Sequence, residues 1–488
     1  MVNATALLKR LSRSSLDVQT AHLQEMSGTP WLVPVPKNVM RIFHKDRMYF
    51  CNMKKSIHPK EVPFMVYADA EGNIFEDTNF EAVGRSGYNV YPLTPEDFIE
   101  LPFGSDLFTL PGRRPYGLSV ETGEMECHED IQAVASLNAP AYTQLYSAAF
   151  GTDEQDAPTL PLYAYTAVGW YDGKFYTTAV RIDADERQDL ENFDREHIWE
   201  VTRKRLEEHP NNRLVQHLGN NCSLKYCCPA ARNFFMGRWE APIPVSPACN
   251  SNCLGCISFQ PEEHELTSPQ DRLDFIPTVA EIVEYTLPHL INAERPIISF
   301  GQGCEGEPLL VWQTIRDVII ELRKHTKRGI INLNTNGSKP KAVEELMKVG
   351  LDSIRVSTNS LRKNIYEAYY LPNNYKFEDI VESARIVRQY GGWASINYFT
   401  FPGMTDHPEE YEALRNFIKH TDISMIQWRN FNIDPDWYLG KIGVTELPEG
   451  MGVRTVLDKI REEFPHVAYG YFNPPQEIQV EYNNLRKA

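Results

Sequence analysis

Long apolar runs are missing from this chain. The longest stretch without a charged residue, 131–152, is interrupted by Asn138, Pro140, Thr143 and Gln144, so the sequence predicts a buried segment there and no membrane span. The N-terminal residues contain no continuous apolar segment followed by a cleavage site. Internal repeats and low-complexity segments are also absent. We therefore expect a cytoplasmic protein.

Positive charge is scarce. The 488 residues include 49 Lys and Arg against 66 Asp and Glu, which gives a formal net charge of −17. This balance disfavours a broad phosphate-binding surface, so we do not expect a nucleic-acid partner, although a local basic patch would leave tRNA open. Because 42% of the residues are hydrophobic, the chain can bury substantial cores, and its length indicates two or three domains.

The nine cysteines are unevenly distributed, and three of them are closely spaced. Cys249, Cys253 and Cys256 form the run Cys-x-x-x-Cys-x-x-Cys, after the strand-like segment 241–248. Three thiolates so spaced can hold three irons of a [4Fe–4S] cluster and leave the fourth iron open to a ligand. The run resembles the cluster loop of the radical S-adenosylmethionine (SAM) superfamily. The alternative is a zinc site completed by His264.

The resemblance implies two cofactors, a [4Fe–4S] cluster and SAM. In that superfamily the open iron chelates the amino and carboxylate groups of SAM. One-electron reduction then cleaves SAM to a 5′-deoxyadenosyl radical, which abstracts a hydrogen atom from the substrate. The resemblance therefore also implies sensitivity to oxygen and a reductant partner such as ferredoxin or flavodoxin.

From about residue 241, short apolar strands alternate with amphipathic helices. Strands are predicted at 297–300, 329–333, 353–356, 395–399 and 424–428, and helices at 309–324 and 377–390. With the strand before the cluster loop these make about six β/α units, whose ligands bind at the carboxyl ends of the strands. The predicted fold class is α/β, a partial (β/α)6 TIM-like barrel, similar to the radical SAM barrel.

We predict three regions along the chain. Residues 1–235 form an N-terminal α+β accessory region, 236–440 the barrel, and 441–488 a short C-terminal element packing on the barrel. In the first region, 64–76 and 162–182 are predicted as hairpins, 92–115 as a long ordered connection and 194–208 as a helix. In the last, 453–472 is expected to close the open side of the barrel.

Gly306, Glu307 and Pro308 follow the second barrel strand. They resemble the Gly-Gly-Glu motif of the family, whose backbone and carboxylate bind the amino group of SAM. Glycine allows the main chain to approach a ligand closely, and an ammonium group needs a carboxylate partner. The chain departs from the motif because Glu305 replaces its first glycine.

Polar residues at four further positions are candidate SAM ligands. By the resemblance, Asn336 belongs to a Thr-Asn-Gly turn after the third strand, and Ser357 can reach the SAM carboxylate or ribose. Asn397 matches a ribose-binding position, and Arg429 ends the sixth strand where the adenine or substrate would lie. The alternatives are a plain turn at Asn336 and a structural cap at Arg429.

The remaining cysteines allow a second cluster. Cys222, Cys228 and Cys304 could hold an auxiliary Fe–S cluster, with only one of the adjacent Cys227 and Cys228 as a ligand. The alternative is that they are buried free thiols. Cys304 is also a candidate catalytic residue, as a hydrogen-atom donor or covalent handle. Cys51 and Cys127 have no neighbouring cysteine and are predicted to be structural.

The sequence favours a radical SAM enzyme with a small-molecule substrate. One alternative is a radical SAM enzyme that modifies a peptide, a protein or tRNA. The absence of cysteine from the C-terminal 48 residues disfavours the peptide-modifying branch of the family. A different class of protein, a non-catalytic Fe–S or zinc scaffold or an electron carrier, is the other alternative.

Overall fold

The computed structural model of the protein describes residues 57–152 and 157–485. Cys51 lies outside these residues. None of the helices in the described ranges is long and apolar enough to span a lipid bilayer.

The first part of the described chain consists of antiparallel strands. β1–β8 and β10–β13 form a twelve-stranded sheet, and β9 pairs with β14. The strands are β1 (Phe64–Ala68), β2 (Ile74–Ser86), β3 (Asn89–Pro92), β4 (Ile99–Glu100), β5 (Asp106–Leu110), β6 (Arg113–Ser119), β7 (Met125–Cys127), β8 (Gln132–Leu137), β9 (Tyr142–Gln144), β10 (Ser147–Ala148), β11 (Phe150–Thr152), β12 (Val168–Tyr171), β13 (Lys174–Thr177) and β14 (Ala179–Arg181).

Both predicted hairpins are present, as β1–β2 and β12–β13. In the second, Asp172 and Gly173 adopt the left-handed conformation that a tight turn requires. The segment 131–152 is largely buried, as predicted. The interpretation of 92–115 as a connection is wrong, because β4, β5 and the start of β6 lie within it. The prolines in this segment argued against strands, because proline cannot donate a backbone hydrogen bond. Pro115 nevertheless pairs with Phe150 of the short strand β11.

Helices lead from the strands to the barrel. They are α1 (Arg195–Glu208), α2 (Arg213–His217), the π-helical segment Leu218–Lys225 and α3 (Pro229–Phe235). The predicted helix at 194–208 is confirmed, and the Asp194 carboxylate caps it by accepting a hydrogen bond from the His197 backbone N–H at 3.0 Å. The π-helical segment contains Cys222, so a local irregularity of the helix positions one of the candidate ligands.

Seven parallel strands form the barrel sheet in chain order. They are β15 (Arg238–Ile243), β16 (Glu294–Phe300), β17 (Ile330–Thr335), β18 (Ser353–Thr358), β19 (Trp393–Thr400), β20 (Met425–Asn430) and β21 (Ala468–Gly470). The accompanying helices are α4 (Val279–Asn292), α5 (Trp312–His325), α6 (Pro340–Val349), α7 (Lys363–Tyr370), α8 (Phe377–Gln389), α9 (Pro408–Thr421), α10 (Pro435–Lys441), α11 (Val453–Glu463) and α12 (Gln476–Leu485). The chain thus has the α/β fold class and the partial TIM-like barrel that the sequence predicts.

Two details of the barrel differ from the prediction. The first strand ends at Ile243, because the next backbone N–H groups, of Val245 and Ser246, donate to the Glu305 carboxylate and not to a neighbouring strand. The C-terminal segment extends the sheet: β21 pairs with β20 as a seventh strand.

The N-terminal strands reach the carboxyl ends of the barrel strands. The Thr143 hydroxyl donates to the carbonyl of Trp428 at 2.9 Å, and the Gln144 side chain donates to the carbonyl of Thr400 at 2.8 Å. A buried ion pair joins Arg113 and Asp434 at 2.6 Å. Strand β9 therefore packs against the end of the barrel where parallel β/α folds bind their ligands.

Candidate active site

A cavity of about 630 Å³ lies at the carboxyl ends of the parallel strands. Every candidate site residue from the sequence contributes to its lining: Cys222, Cys228, Cys249, Cys253, Cys256, Cys304, Gly306, Glu307, Pro308, Asn336, Ser357, Asn397 and Arg429. The positions come from loops and strand ends spread over more than 200 residues, and the parallel topology collects them at one edge of the sheet.

The cluster loop, residues 249–256, is anchored on the C-terminal end of α7. The backbone N–H groups of Asn252 and Leu254 donate to the carbonyls of Tyr370 and Tyr369 at 3.1 and 3.0 Å. At Gly255 a Cβ atom would lie 2.5 Å from the side chain of Ile433, so this position accepts only glycine without rearrangement. Backbone hydrogen bonds to α7 and the close packing of Gly255 against Ile433 therefore hold the loop in place.

The three loop thiols are half-buried. Burial raises the pKa of Cys249 to about 11, and burial followed by the neighbouring Cys256 raises the pKa of Cys253 well above the usual value of a thiol. Arg272, which the sequence reasoning missed, donates to the Cys256 sulfur at 3.3 Å. Because metals bind thiolates, cluster binding at these cysteines would release protons from the thiols. The Arg272 guanidinium would help to stabilise the negative charge of the Cys256 thiolate.

Gly306 lies where the loop after β16 crosses the start of the cluster loop. A Cβ atom at this position would be 2.0 Å from the carbonyl oxygen of Ala248. The Gly306 N–H donates to the carbonyl of Ser246 at 2.7 Å, and the Glu307 N–H donates to that of Ala248 at 2.8 Å. Glycine is therefore required by the contact between the two loops.

The Glu307 carboxylate is buried and accepts three hydrogen bonds from the chain itself. Its donors are the Leu309 N–H at 2.9 Å, the Thr335 hydroxyl at 2.5 Å and the Asn336 N–H at 2.8 Å. Burial raises the pKa of Glu307 to about 7. A carboxylate has about four lone-pair positions, so one acceptor position of Glu307 is not used by these three donors.

Asn336 joins the turn after β17 to the cluster loop. Its amide nitrogen donates to Asn250 Oδ1 at 2.8 Å and to the Ser251 hydroxyl at 3.2 Å. Its amide oxygen accepts the Ser338 N–H at 3.0 Å. The side chain therefore acts as a support for the cluster loop as well as a part of the cavity wall.

Glu305, at the position where the chain departs from the family motif, holds two loops together. Its buried carboxylate accepts the N–H groups of Val245, Ser246 and Gln302 at 2.7, 2.8 and 2.7 Å. Burial raises its pKa to about 8. The sequence identified this residue only as a departure from the motif, and no local signal indicates that two of its partners, Val245 and Ser246, lie about sixty residues earlier.

Polar side chains on β19 and β20 and just after β20 include atoms that have no hydrogen-bond partner. Asn397 Oδ1, Arg429 Nε and Asn432 Oδ1 are buried and make no hydrogen bond. The Arg429 guanidinium lies over the Tyr471 ring, 3.8 Å from its centroid, and Ser357 lines the cavity nearby on β18. Buried polar atoms are normally paired, so these atoms are suited to contact a ligand.

A second group of thiols lies on the same cavity. The sulfur atoms of Cys222 and Cys304 are 3.6 Å apart, and both side chains are buried. The Cys228 N–H donates to the carbonyl of Cys222 at 2.8 Å, whereas Cys227 is exposed. The fold thus brings Cys222, Cys228 and Cys304 to one place, and the auxiliary cluster stays a prediction.

His264 and Cys127 lie apart from the cavity lining. The His264 ring is hydrogen-bonded to Gln260 Oε1 at 2.9 Å and packs edge-on against Trp437. Because His264 does not line the cavity that the three cysteines share, its position disfavours the zinc site completed by His264. Cys127 is half-buried on β7, where its thiol donates to the carbonyl of Arg114 at 3.9 Å.

Residues 243–417 match the family model of the Radical SAM superfamily. Among curated proteins, the chain is similar to an uncharacterized protein of Methanocaldococcus jannaschii, with 24% identity over 170 residues. That match covers 34% of this chain and 38% of the relative, so the chain spans well under half of the relative's length.

Three solved structures show weak similarity. The structure of anSMEcpe with bound AdoMet is 18% identical over 46% of this chain and 61% of its own, with a TM-score of 0.34. Methylornithine synthase is 13% identical over 57% of this chain and 72% of its own, with a TM-score of 0.34. Streptococcus suis SuiB bound to S-adenosylmethionine is 16% identical over 59% and 65%, with a TM-score of 0.31.

Proposed function

The chain carries a radical SAM domain at residues 243–417, and from this premise we propose that the protein is a radical SAM enzyme acting on a small molecule. Cys249, Cys253 and Cys256 are the residues that would hold the [4Fe–4S] cluster. When cluster and SAM are bound, one-electron reduction cleaves SAM and supplies a 5′-deoxyadenosyl radical that takes a hydrogen atom from the substrate.

One observation supports this proposal above the others. The cysteine triad, the Gly306–Glu307 segment and three unpartnered polar atoms all belong to one cavity. A structural iron or zinc site would require the thiols alone. Polar atoms that lack partners in the protein indicate that the cavity also receives an organic ligand with hydrogen-bonding groups.

Different residues of the cavity would bind the methionine part and the adenosine part of SAM. Glu307, with one acceptor position left, would receive the ammonium group close to the cluster loop. Asn397 and Asn432, with free amide oxygens, would accept hydrogen bonds from ribose hydroxyls or the adenine amine. Ser357 would contribute a further hydroxyl. The protein therefore orients SAM and excludes water, and the cofactors supply the chemistry.

The substrate would carry an anionic group. Arg355 and Arg429 both line the cavity, and the Arg355 guanidinium is held by Gln427 Oε1 at 2.8 Å. Burial, followed by the nearby charge of Arg429, lowers the pKa of Arg355 to about 9, so the arginine is cationic at neutral pH. The Glu240 carboxylate, which also lines the cavity, offsets part of the repulsion between the two guanidinium groups, and an anionic group of the substrate would offset more of it.

The formal net charge of −17 is unsuited to a nucleic-acid substrate and is compatible with a soluble reductant. We propose ferredoxin or flavodoxin as the source of electrons and the cytoplasm as the compartment. A reducing compartment would also keep the eight free cysteines of the described chain as thiols.

The test is anaerobic reconstitution with iron and sulfide, followed by reduction with dithionite in the presence of SAM. We expect about four irons at the triad and formation of 5′-deoxyadenosine. A cluster-loaded, reduced protein that neither binds nor cleaves SAM would overturn the proposal and favour the electron carrier or scaffold. Protein with zinc and no iron at the triad would do the same.

The substrate class is tested with cell extract separated by size. After anaerobic incubation, untargeted mass spectrometry should find a changed anion in the low-molecular-weight fraction. Arg355→Gln should abolish that change while leaving iron content intact, because the variant keeps the cluster loop and loses one cation. A change confined to the macromolecular fraction would replace the small-molecule proposal by a peptide, protein or tRNA substrate.

A further inference from the structure

Three side chains outside the cluster loop present metal-binding atoms at short range. One ring nitrogen of His217 and the sulfurs of Cys222 and Cys304 all lie within 4.8 Å of one another. In residues 57–152 and 157–485, no other group of three or more His, Cys, Asp or Glu side chains has its ligand atoms within 4.8 Å of one another. The sequence does not indicate His217, because residues five apart do not share one face of an α-helix; the π-helical segment Leu218–Lys225 allows this pair to approach.

We propose that His217, Cys222 and Cys304 bind a single thiophilic divalent metal ion of the zinc class. The site does not depend on the proposed radical chemistry, because it uses none of the cluster-loop cysteines. Two thiolates and one imidazole form the Cys2His donor set of many zinc sites with an open fourth position.

The spacing of the sulfurs favours one ion over an Fe–S cube. In a tetrahedral site with metal–sulfur bonds of about 2.3 Å, two thiolate sulfurs are about 3.8 Å apart. The Cys222 and Cys304 sulfurs are 3.6 Å apart, close to this value. In a cube each thiolate binds a different iron, and the sulfurs must lie considerably further apart. The geometry thus separates this group from the auxiliary cluster predicted from sequence.

The imidazole has a free nitrogen for the metal. His217 Nε2 is buried and has no hydrogen-bond partner of normal geometry, although the ring interacts with the Cys304 thiol; Nδ1 lies 3.2 Å from the Asn221 side-chain amide. Rotation of that amide lets its oxygen accept Nδ1–H, which leaves the lone pair on Nε2. An outer partner that fixes the tautomer in this way is typical of histidine ligands.

The fold holds the three ligands from separate elements. His217 ends α2, Cys222 lies in the π-helical segment, and Cys304 lies in the loop after β16. The Cys304 carbonyl accepts the Leu273 N–H at 2.8 Å, which fixes that loop. A site assembled from such constrained backbone is preorganised and loses little conformational entropy on binding a metal.

The fourth position would face the cavity. Cys222, Cys228 and Cys304 all line it, so either the Cys228 thiolate or a donor atom of the substrate could complete the tetrahedron. A disulfide between Cys222 and Cys304 is the main competing outcome, because the sulfurs would need to approach to only about 2.05 Å. A disulfide would have no use for the His217 ring beside the two sulfurs, which is why we favour a metal.

The test uses full-length protein in which Cys249, Cys253 and Cys256 are all replaced by alanine, so that iron at the cluster loop is removed. We expect about one zinc per chain by elemental analysis after anaerobic purification. Replacing zinc by Co²⁺ should produce the visible absorption of tetrahedral thiolate-bound cobalt. Adding Cys304→Ala should abolish both, and adding Cys127→Ser should change neither, because Cys127 is not a ligand.

Asn221→Ala tests the role of the imidazole. Loss of an outer-shell partner weakens metal affinity by roughly 10- to 100-fold, and Asn221→Ala should fall in that range in a competition titration with a Co²⁺ chelator. Cys228→Ser should leave one zinc per chain if substrate fills the fourth position.

Three results would overturn the inference. The first is about four irons with sulfide in the triad variant, which would establish an auxiliary cluster. The second is a mass deficit of two hydrogens that maps to a Cys222–Cys304 disulfide under anaerobic purification. The third is failure of the folded triad variant, verified by circular dichroism, to bind Zn²⁺ or Co²⁺ at all.

Discussion

The cluster loop and the two cysteines of the His217 group line the same cavity, but the two groups are built differently. The cluster-loop cysteines lie within eight residues, are half-buried, and are held by backbone contacts to α7. The His217 group comes from three elements between residues 217 and 304 and has its ligand atoms within 4.8 Å. A single open loop can wrap around a multinuclear cluster, whereas a compact buried group fits one ion. Both groups depend on the loop after β16. This loop contains Cys304, a member of the His217 group, and Gly306, which packs against Ala248 at the start of the cluster loop.

The largest effect is expected when the cluster-loop cysteines are removed, because this should abolish iron binding and leave zinc binding unchanged. Replacing Cys249, Cys253 and Cys256 by alanine should remove the iron and reduce 5′-deoxyadenosine formation to background, because no thiolate remains for the cluster. Iron and zinc are measured together by elemental analysis, and zinc should stay at the level of the unmodified protein. SAM cleavage that survives in this variant would show that the triad is not the cluster site.

Glu307→Gln should affect SAM without affecting either metal. Loss of a charged partner for a desolvated ammonium costs about 2–4 kcal/mol, or roughly 30- to 1000-fold in SAM affinity. Equilibrium binding of SAM to cluster-loaded protein provides the measurement. Thr335→Val is the matched control, because it removes one donor to the same carboxylate and keeps the charge. Equal losses in both variants would mean that Glu307 acts only by holding the loops.

Gly306→Ala should affect the cluster loop more than the His217 group. The added Cβ would lie 2.0 Å from the Ala248 carbonyl, so the two loops must separate, at a cost of about 2–3 kcal/mol in the free energy of unfolding. Iron content should fall while zinc is retained. Gly440→Ala is the control, since a Cβ there meets nothing within 4 Å and should not destabilise the protein. Zinc loss equal to iron loss would indicate one coupled site.

The smallest effect is expected from mild acid, which should lower the free energy of unfolding through His289. Because His289 lies away from both metal-binding groups, this effect distinguishes unfolding from metal release. Burial lowers the pKa of His289 to about 4, and its ring N–H donates to the Trp239 carbonyl at 2.6 Å. The unfolded chain takes up this proton below about pH 6.5, so the stability from neutral His289 is present above that pH and lost as pH falls towards 4.

Between pH 6.5 and 5, His289 should account for a loss of about 1.5 kcal/mol in the free energy of unfolding. Denaturant titration at the two pH values measures this loss, and His289→Gln should flatten it. The pH profiles of iron and zinc release should be the same in both proteins, because His289 is not among the cavity-lining residues. Parallel shifts in metal release would mean that acid removes the metals by unfolding the barrel.

Most of the barrel was predictable because its signals are local. The apolar runs at 297–300 and 353–356 and the amphipathic face of Ile315, Val318 and Leu322 require only a short stretch of chain to identify. The cysteine triad is local in the same sense. The strands at 92–115 were missed because proline is usually a signal against strands, and only pairing with distant segments shows otherwise.

Local patterns were enough to predict the α/β class, the succession of barrel strands and the candidate ligands of the cluster loop, because each depends on periodicity or on spacing within a few residues. Three features depend on contacts between distant parts of the chain: the hydrogen bonds of Glu305 to Val245 and Ser246 before the cluster loop, the pairing of β21 as a seventh strand, and the approach of His217 to Cys222 and Cys304. These contacts join residues up to 87 positions apart, as from His217 to Cys304. Such distances in the chain leave no local periodicity, so only the packing of the folded elements determines them.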